Sequence, residues 1–265
     1  MAPYIFGKRN TIHIIDIRET IKGLLRATKF ISQVVGRGDD VLFVGTKRQA
    51  RIHIMEQAGR TSMPYVSERW LGGTLTNFRT IRSRLTRLEE LEAAEADGTA
   101  QQYSKKMIAQ RTRELSKIKR NLDGIRNMNR LPGALVVVDV QREKNAVREA
   151  RTLRIPTVCL IDTDSDPDFA DVPIPGNDDA MRAIEVVLRH LADAIEAAKK
   201  ARQEAKVDQG DDGGDQQPRR RSQRSTTARA ADGGDSGRDE KQANPAGGDD
   251  QGLTPAATSD SEQSS

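Results

Sequence analysis

Val41-Leu42-Phe43-Val44-Gly45-Thr46-Lys47 decides the fold. Four apolar residues with no polar interruption read as a strand buried on both faces, because a half-exposed strand would alternate. The run stops at Gly45, and a helix is predicted over about 48–58. Two runs of the same kind lie downstream. Leu135-Val136-Val137-Val138 ends at Asp139 and precedes a predicted helix over 143–153, and Thr157-Val158-Cys159-Leu160-Ile161 follows it. Upstream, Ile12-His13-Ile14-Ile15 reads as a short strand and Asp16 as the cap of a helix. That helix carries Ile17, Ile21, Leu24, Leu25, Phe30, Ile31 and Val34 as a stripe and ends at Gly36-Arg37-Gly38. Pro64-Tyr65-Val66 reads as another short strand. A last helix is predicted over about 177–199, with Ile184, Val187, Leu188, Leu191 and Ile195 on one face. Buried strands alternating with helices predict an α/β fold: a parallel sheet with helices on both faces.

Residues 77–130 break the alternation. Phe78, Ile81, Leu85, Leu88 and Leu91 recur at helical spacing, and so do Leu115, Ile118, Leu122 and Ile125. Such stripes suit two helices packed along a narrow seam, with Asp97-Gly98 as the turn between them. Two ordinary domain helices are the alternative. A protruding antiparallel hairpin is preferred, because few other apolar residues remain here to bury. The domain reading is therefore a body of 1–76 and 131–206, a coiled-coil hairpin insertion of 77–130, and a tail of 207–265. The tail has no aromatic residue, and Val207 and Leu253 are its only larger aliphatics. It cannot bury enough to offset chain entropy and is predicted to be disordered.

Charge separates these regions. The chain has a formal net charge of +4, but 207–265 holds 12 acidic and 7 basic residues, which leaves residues 1–206 at +9. The hairpin segment alone holds 13 Lys/Arg against 7 Asp/Glu. On its second helix Lys106, Arg113, Lys117 and Arg120 share one face, beside Lys105, while the apolar stripe takes roughly the opposite face. A solvated face would account for this. Like charges stacked on one face repel, however, and phosphates would turn that repulsion into counterion-releasing contacts. The first helix adds Arg79, Arg82, Arg84 and Arg87, and Arg69 stands in the loop before it. These ten residues are the candidate RNA contacts.

Catalytic motifs fail on inspection. Gly45-Thr46-Lys47 lacks the second glycine and the Lys-Ser/Thr pair of a phosphate loop, and reads as a strand-to-helix turn. Asp162-Thr163-Asp164-Ser165-Asp166 imitates a calcium loop, but Pro167 and Pro173 stand where glycine and a carboxylate are needed, so turn and capping roles are preferred. His13, His53 and His190 share no ligand spacing. Cys159 is the single cysteine, so no intrachain disulfide forms, and its apolar neighbours make it a buried small residue. Trp70, in Arg69-Trp70-Leu71-Gly72-Gly73-Thr74, either stacks on a base or anchors its loop in the core, and the anchor is preferred. No catalytic residue, metal or cofactor is assigned. No apolar run approaches the roughly 20 residues that span a bilayer, so no membrane partner is expected.

Arg69-Trp70-Leu71-Gly72-Gly73-Thr74-Leu75-Thr76-Asn77-Phe78 resembles the hallmark of the bacterial small-subunit ribosomal protein S-two family. Pro132, Leu135, Val136, Asp139, Glu143, Val147, Glu149, Arg154, Ile155 and Pro156 match the spacing of its second signature. Residues 162–168, Pro173-Ile174-Pro175-Gly176-Asn177-Asp178-Asp179-Ala180, Tyr4-Ile5-Phe6-Gly7 and Ile12-His13-Ile14-Ile15-Asp16 fit its other segments in order. The resemblance covers nearly all of residues 1–200. It implies a flavodoxin-like sheet with a coiled-coil hairpin, and a structural role in the cytoplasmic small subunit. The implied partners are small-subunit rRNA and neighbouring ribosomal proteins. Family members usually begin with a further helix and a basic segment, and Met1 falls where they have an internal methionine. A missing N-terminal segment, from a start codon assigned too late, is therefore expected. Its absence puts the family's contact with ribosomal protein S-one in question here, and is expected to uncover apolar surface. The rival reading is an α/β enzyme binding a sugar phosphate or nucleotide at the strand C-terminal ends, where such folds place ligands. It rests on fold analogy alone.

Overall fold

The computed structural model describes residues 1–97 and 104–211, with side chains described as far as residue 205. Strands β1 (Ile5–Arg9) and β2 (Ile12–Ile15) form an antiparallel hairpin. Its turn residues Asn10 and Thr11 both have positive φ, as a two-residue hairpin requires. Helix α1 (Ile17–Arg37) follows at once, because the Asp16 side chain accepts from the Arg18 N–H and caps it. Gly38, at φ 96, closes that helix in the left-handed conformation. The main sheet then builds from β3 (Val41–Val44), α2 (Arg48–Thr61) and β4 (Tyr65–Val66), followed by α3 (Phe78–Ala96) and α4 (Lys105–Leu122). It is completed by β5 (Ala134–Val138), α5 (Lys144–Thr152), β6 (Thr157–Ile161), β7 (Val172–Pro175) and α6 (Met181–Asp211).

The sheet has five strands in the order β4-β3-β5-β6-β7, every neighbouring pair parallel. Counted within the sheet this is the flavodoxin-like order, with its switch point between β3 and β5. Successive side chains alternate between two cores. Val41, Phe43, Val136, Val138, Val158 and Leu160 pack with α1, α2 and α6. Leu42, Val44, Leu135, Val137, Cys159 and Ile161 pack with α5 and with the residues that flank α3 and α4. That two-sided burial is why these strands read as unbroken apolar runs.

Two strands escape the sequence reading. β1 contains Gly7, Lys8 and Arg9 and is largely exposed, so it has no apolar period to detect. β7 carries Pro173 and Pro175, which cannot donate to a ladder, and it survives as an edge strand against β6. Helix α6 differs at both ends from the predicted 177–199. Asn177 Oδ1 accepts from the Asp179 and Ala180 N–H groups at 2.8 Å and so delays the helix to Met181. The helix then runs to Asp211, five residues beyond the expected body boundary. The rest of the expected tail, 212–265, and Gly98 of the expected turn lie outside the described residues. Phe6, Ile12, Ile17, Ile21 and Leu25 are exposed along the hairpin and α1.

Gly23 sets how closely α1 approaches the sheet. A Cβ there would lie 2.7 Å from the Pro173 carbonyl oxygen, which is backbone and cannot swing aside. Alanine favours a helix interior over glycine by about 1 kcal/mol. Gly23→Ala should nevertheless destabilise the protein, by about 1–3 kcal/mol, because α1 must lift from β7. Urea unfolding followed by circular dichroism measures this, and an unchanged or raised midpoint would contradict the close contact.

Candidate nucleic-acid interface

The loop between β4 and α3 is built around one carboxylate. Glu149, half-buried on α5, accepts from Trp70 Nε1 at 3.0 Å and the Gly73 N–H at 2.8 Å through Oε1. Its Oε2 accepts from the Leu75 and Thr76 N–H groups at 3.0 and 3.1 Å and from Thr76 Oγ1 at 3.2 Å. Burial pushes this carboxyl up, but the hydrogen bonds from Trp70, Leu75, Gly73 and Thr76 outweigh it and hold the group below its ordinary range. Trp70 is only 8% exposed and packs in the α5-side core, so it anchors the loop as preferred. Gly73, at φ 89, supplies the left-handed turn. No local pattern in the sequence gives Glu149 this role, because it sits on an ordinary helix between Val147 and Ala150.

The loop delivers the chain into α3, whose Ile81, Leu85, Leu88 and Leu91 are buried, and α3 packs against α4. Ion pairs span the two segments: Arg87 with Glu114 at 3.8 Å, Lys119 with Glu92 at 3.2 Å, and Arg126 with Glu92. The ten candidate contacts then divide. Arg82 donates to the Met128 carbonyl at 3.2 Å and to Asn129, and Arg87 also pairs with Glu90 at 2.9 Å. Arg69, Arg79, Arg84, Lys105, Lys106, Arg113, Lys117 and Arg120 are exposed and carry no ion pair among the described residues. Five of these lie on α4, four of them in the stripe read from the sequence.

The other place where chemistry is expected is the C-terminal crest of the sheet, beside the β3/β5 switch point. Its own side chains fill it. Lys47 Nζ lies 2.6 Å from Asp178 and from Asp179 and 3.3 Å from Asp139. Thr46 donates through both N–H and Oγ1 to Glu143, at 2.8 and 2.6 Å, and Arg142 Nε donates to Thr46 Oγ1 at 3.1 Å. Burial dominates Asp178 and pushes its carboxyl up to about 6, which Lys47 only moderates. Burial would lower Lys47, but its bonds to Asp178 and Asp179 hold it above the ordinary lysine range, so the ammonium stays charged. Asp162, Asp178 and Asp179 each place a carboxylate oxygen within 4.8 Å of the others, a set able to hold a metal ion. Lys47 already supplies positive charge at that point. Cys159 is buried and its thiol is pushed up to about 12, so it offers no nucleophile. The 162–166 segment is a turn in which Asp166 accepts from the Asp168 N–H at 3.1 Å.

Two substitutions test these arrangements. Glu149→Gln replaces an acceptor oxygen with a donor, which leaves loop N–H groups unpaired and should cost about 2–4 kcal/mol at pH 7. Because the folded carboxyl is held low, its contribution is present above the ordinary glutamate range and is lost as pH falls through it. The gap between wild type and variant should therefore close in acid, and a gap independent of pH would refute the role. Lys47→Met leaves three carboxylates facing one another and should cost about 3–5 kcal/mol at neutral pH. Asp178 has a raised folded value, so protonation favours the fold as pH drops through about 6. The Lys47→Met defect should shrink between pH 7.5 and pH 5 in urea titrations, and an equal loss at both would count against an ionised cluster.

The family described as Ribosomal protein S2 matches residues 1–198. Small ribosomal subunit protein uS2 of Rhodopirellula baltica is 62% identical over 203 residues, which cover 77% of this chain and 78% of that protein. The uS2 protein of Syntrophobacter fumaroxidans is 51% identical over 206 residues, covering 78% and 75%. The match takes in the Trp70 loop, the helix pair, the Lys47 crest and most of α6. An S2 protein is a structural component and not an enzyme, so the reading of the crest as a catalytic pocket is set aside. The chain belongs to the ribosomal protein S2 family.

Proposed function

We propose that this chain is a structural constituent of the small ribosomal subunit in the cytoplasm. In this reading it grips rRNA through the free cationic face of α4 and abuts neighbouring ribosomal proteins with other surfaces. The observation that carries the reading is the division of the cations. Arg82, Arg87, Lys119 and Arg126 are satisfied inside the chain, whereas Lys106, Arg113, Lys117 and Arg120 stand exposed without a carboxylate among the described residues. A like-charged helix face with no internal counter-charge is favoured only when an anion lies against it. Phosphate is the anion that a ribosomal protein meets most densely. We read 77–130 as a coiled-coil hairpin inserted into the body, with α3 and α4 as its two arms and the body serving to aim it.

The test is a salt titration of binding to small subunits depleted of this protein. Replacing Lys106, Arg113, Lys117 and Arg120 together by glutamine should weaken binding and flatten the dependence of log K on log salt. Each lost phosphate contact should remove roughly 0.7–0.9 from the slope. A slope equal to that of the unaltered protein would overturn the assignment of this face to rRNA.

A further inference from the structure

Between α4, α3 and the Trp70 loop lies a cleft of about 270 Å³. Leu71, Ile118 and Leu122 line it with apolar surface, Arg84 and Lys117 stand at it as exposed cations, and Glu114 and Asn121 complete it. Asn121 Oδ1 is shielded from solvent and has no hydrogen-bond partner. A shielded amide oxygen without a donor costs free energy in the isolated protein, so a missing donor is the natural explanation. Neither Arg84 nor Lys117 has an ion pair among the described residues, while Glu114 leans toward Arg87 at 3.8 Å. Apolar surface, two carbonyl-type acceptors and two free cations thus meet in one small space.

We infer that this cleft seats one unstacked nucleotide of small-subunit rRNA, with an N–H of its base turned toward Asn121. The inference rests on the rRNA reading above and names a subsite of it. Three requirements select the occupant. A flat apolar face must cover Leu71 and Ile118, a donor must reach Asn121 and Glu114, and an anion must answer Arg84 and Lys117. A lysine or arginine from a partner protein would meet those two cations. An acidic side chain would meet Glu114 and leave the amide oxygen unpaired. A nucleotide brings all three groups on one frame, and single-stranded RNA is read in this way, with bases splayed onto protein and hydrogen-bonded at their edges. Either an exocyclic amine or the imino N–H of a base serves as that donor, since carboxylates and amides accept from both. The volume lies at the low end of ligand pockets, which fits one base rather than two. The cleft is also continuous with the proposed interface, because Lys117 belongs both to it and to the α4 stripe.

Asn121→Leu separates this role from a structural one. Leucine keeps much of the volume and removes an unpaired buried acceptor, so unfolding by urea should occur at an equal or higher midpoint. Affinity for small subunits depleted of this protein should nevertheless fall about five- to tenfold, the worth of one hydrogen bond, with the salt slope unchanged. Lys117→Gln should instead lower the slope by about one. An Asn121→Leu protein that is stable and binds like wild type overturns the nucleotide seat. If the four-residue stripe variant is weak in the same assay, the broader rRNA reading survives that result, and if it too binds normally, both fall. Ultraviolet cross-linking of assembled subunits, read by peptide mass, gives a second measure that needs no variant. A nucleotide adduct within residues 114–122 is expected, and the lack of one there would overturn the assignment.

Discussion

Between β4 and α3 the chain turns out of the sheet, and the hydrogen bonds that fix this turn converge on the Glu149 carboxylate. The consequence extends well beyond the loop. α3 begins at Phe78, immediately after the residues Glu149 holds, so the direction of that helix follows from where α5 places one side chain. α4 follows α3 by packing and by the Arg87–Glu114 and Lys119–Glu92 ion pairs. The far end is pinned as well, because Gly124 presses so closely on Tyr65 that any Cβ would collide with the β4 backbone. The helix pair is thus gripped at both of its junctions with the sheet. On the rRNA reading proposed above that rigidity matters, since a swinging pair would forfeit entropy on every contact it made.

The crest of the sheet shows the opposite treatment of charge. In a flavodoxin-like order the switch point between β3 and β5 is where ligands ordinarily enter. Here a Cβ on Gly45 would lie 2.3 Å from Ile54 Cδ1, and Lys47 turns into Asp139, Asp178 and Asp179. Thr46, Glu143 and Arg142 close the adjacent space with their own hydrogen bonds. An ammonium spent on internal carboxylates cannot also cradle a phosphate. The fold's usual site has become a polar clasp joining the loops after β3, β5 and β7, and the exposed cations without an ion pair among the described residues include five on α4.

How far the sequence could be read depended on range. β3, β5 and β6 announce themselves because burial on two faces removes polar residues from consecutive positions. α1 and the two helices of 77–130 do so through apolar period, and Asp16 through capping chemistry. β7 hides because prolines are legal only at an edge, and edge status is a property of the whole sheet. The cationic stripe is a one-helix pattern and is visible as such. Which arginines remain free is not fully so, because Arg82 is taken up by Met128 and Asn129, and Arg87 by Glu114 as well as by its helix neighbour Glu90, and only the last of these contacts lies within a local window. Glu149 and Lys47 escape for the same reason: their partners lie 73 to 79 and up to 132 (179 − 47) residues away. The resemblance to a known family located both segments without supplying either interaction.

The division of cations also bears on why the isolated helix pair holds together at all. Pairs such as Lys119–Glu92 are exposed and each contributes little in water. Their worth lies in placement, since they cross from one helix segment to the other and so oppose separation. The free cations do the reverse. Lys106, Arg113, Lys117 and Arg120 repel along one side of α4, and α4 buries only Leu122 among its own residues to resist them. Off the ribosome, then, α4 is held by a thin apolar seam against a charge it cannot neutralise. On the rRNA reading proposed above, phosphate would reverse the sign of that term, and association and ordering would be coupled through the same four side chains.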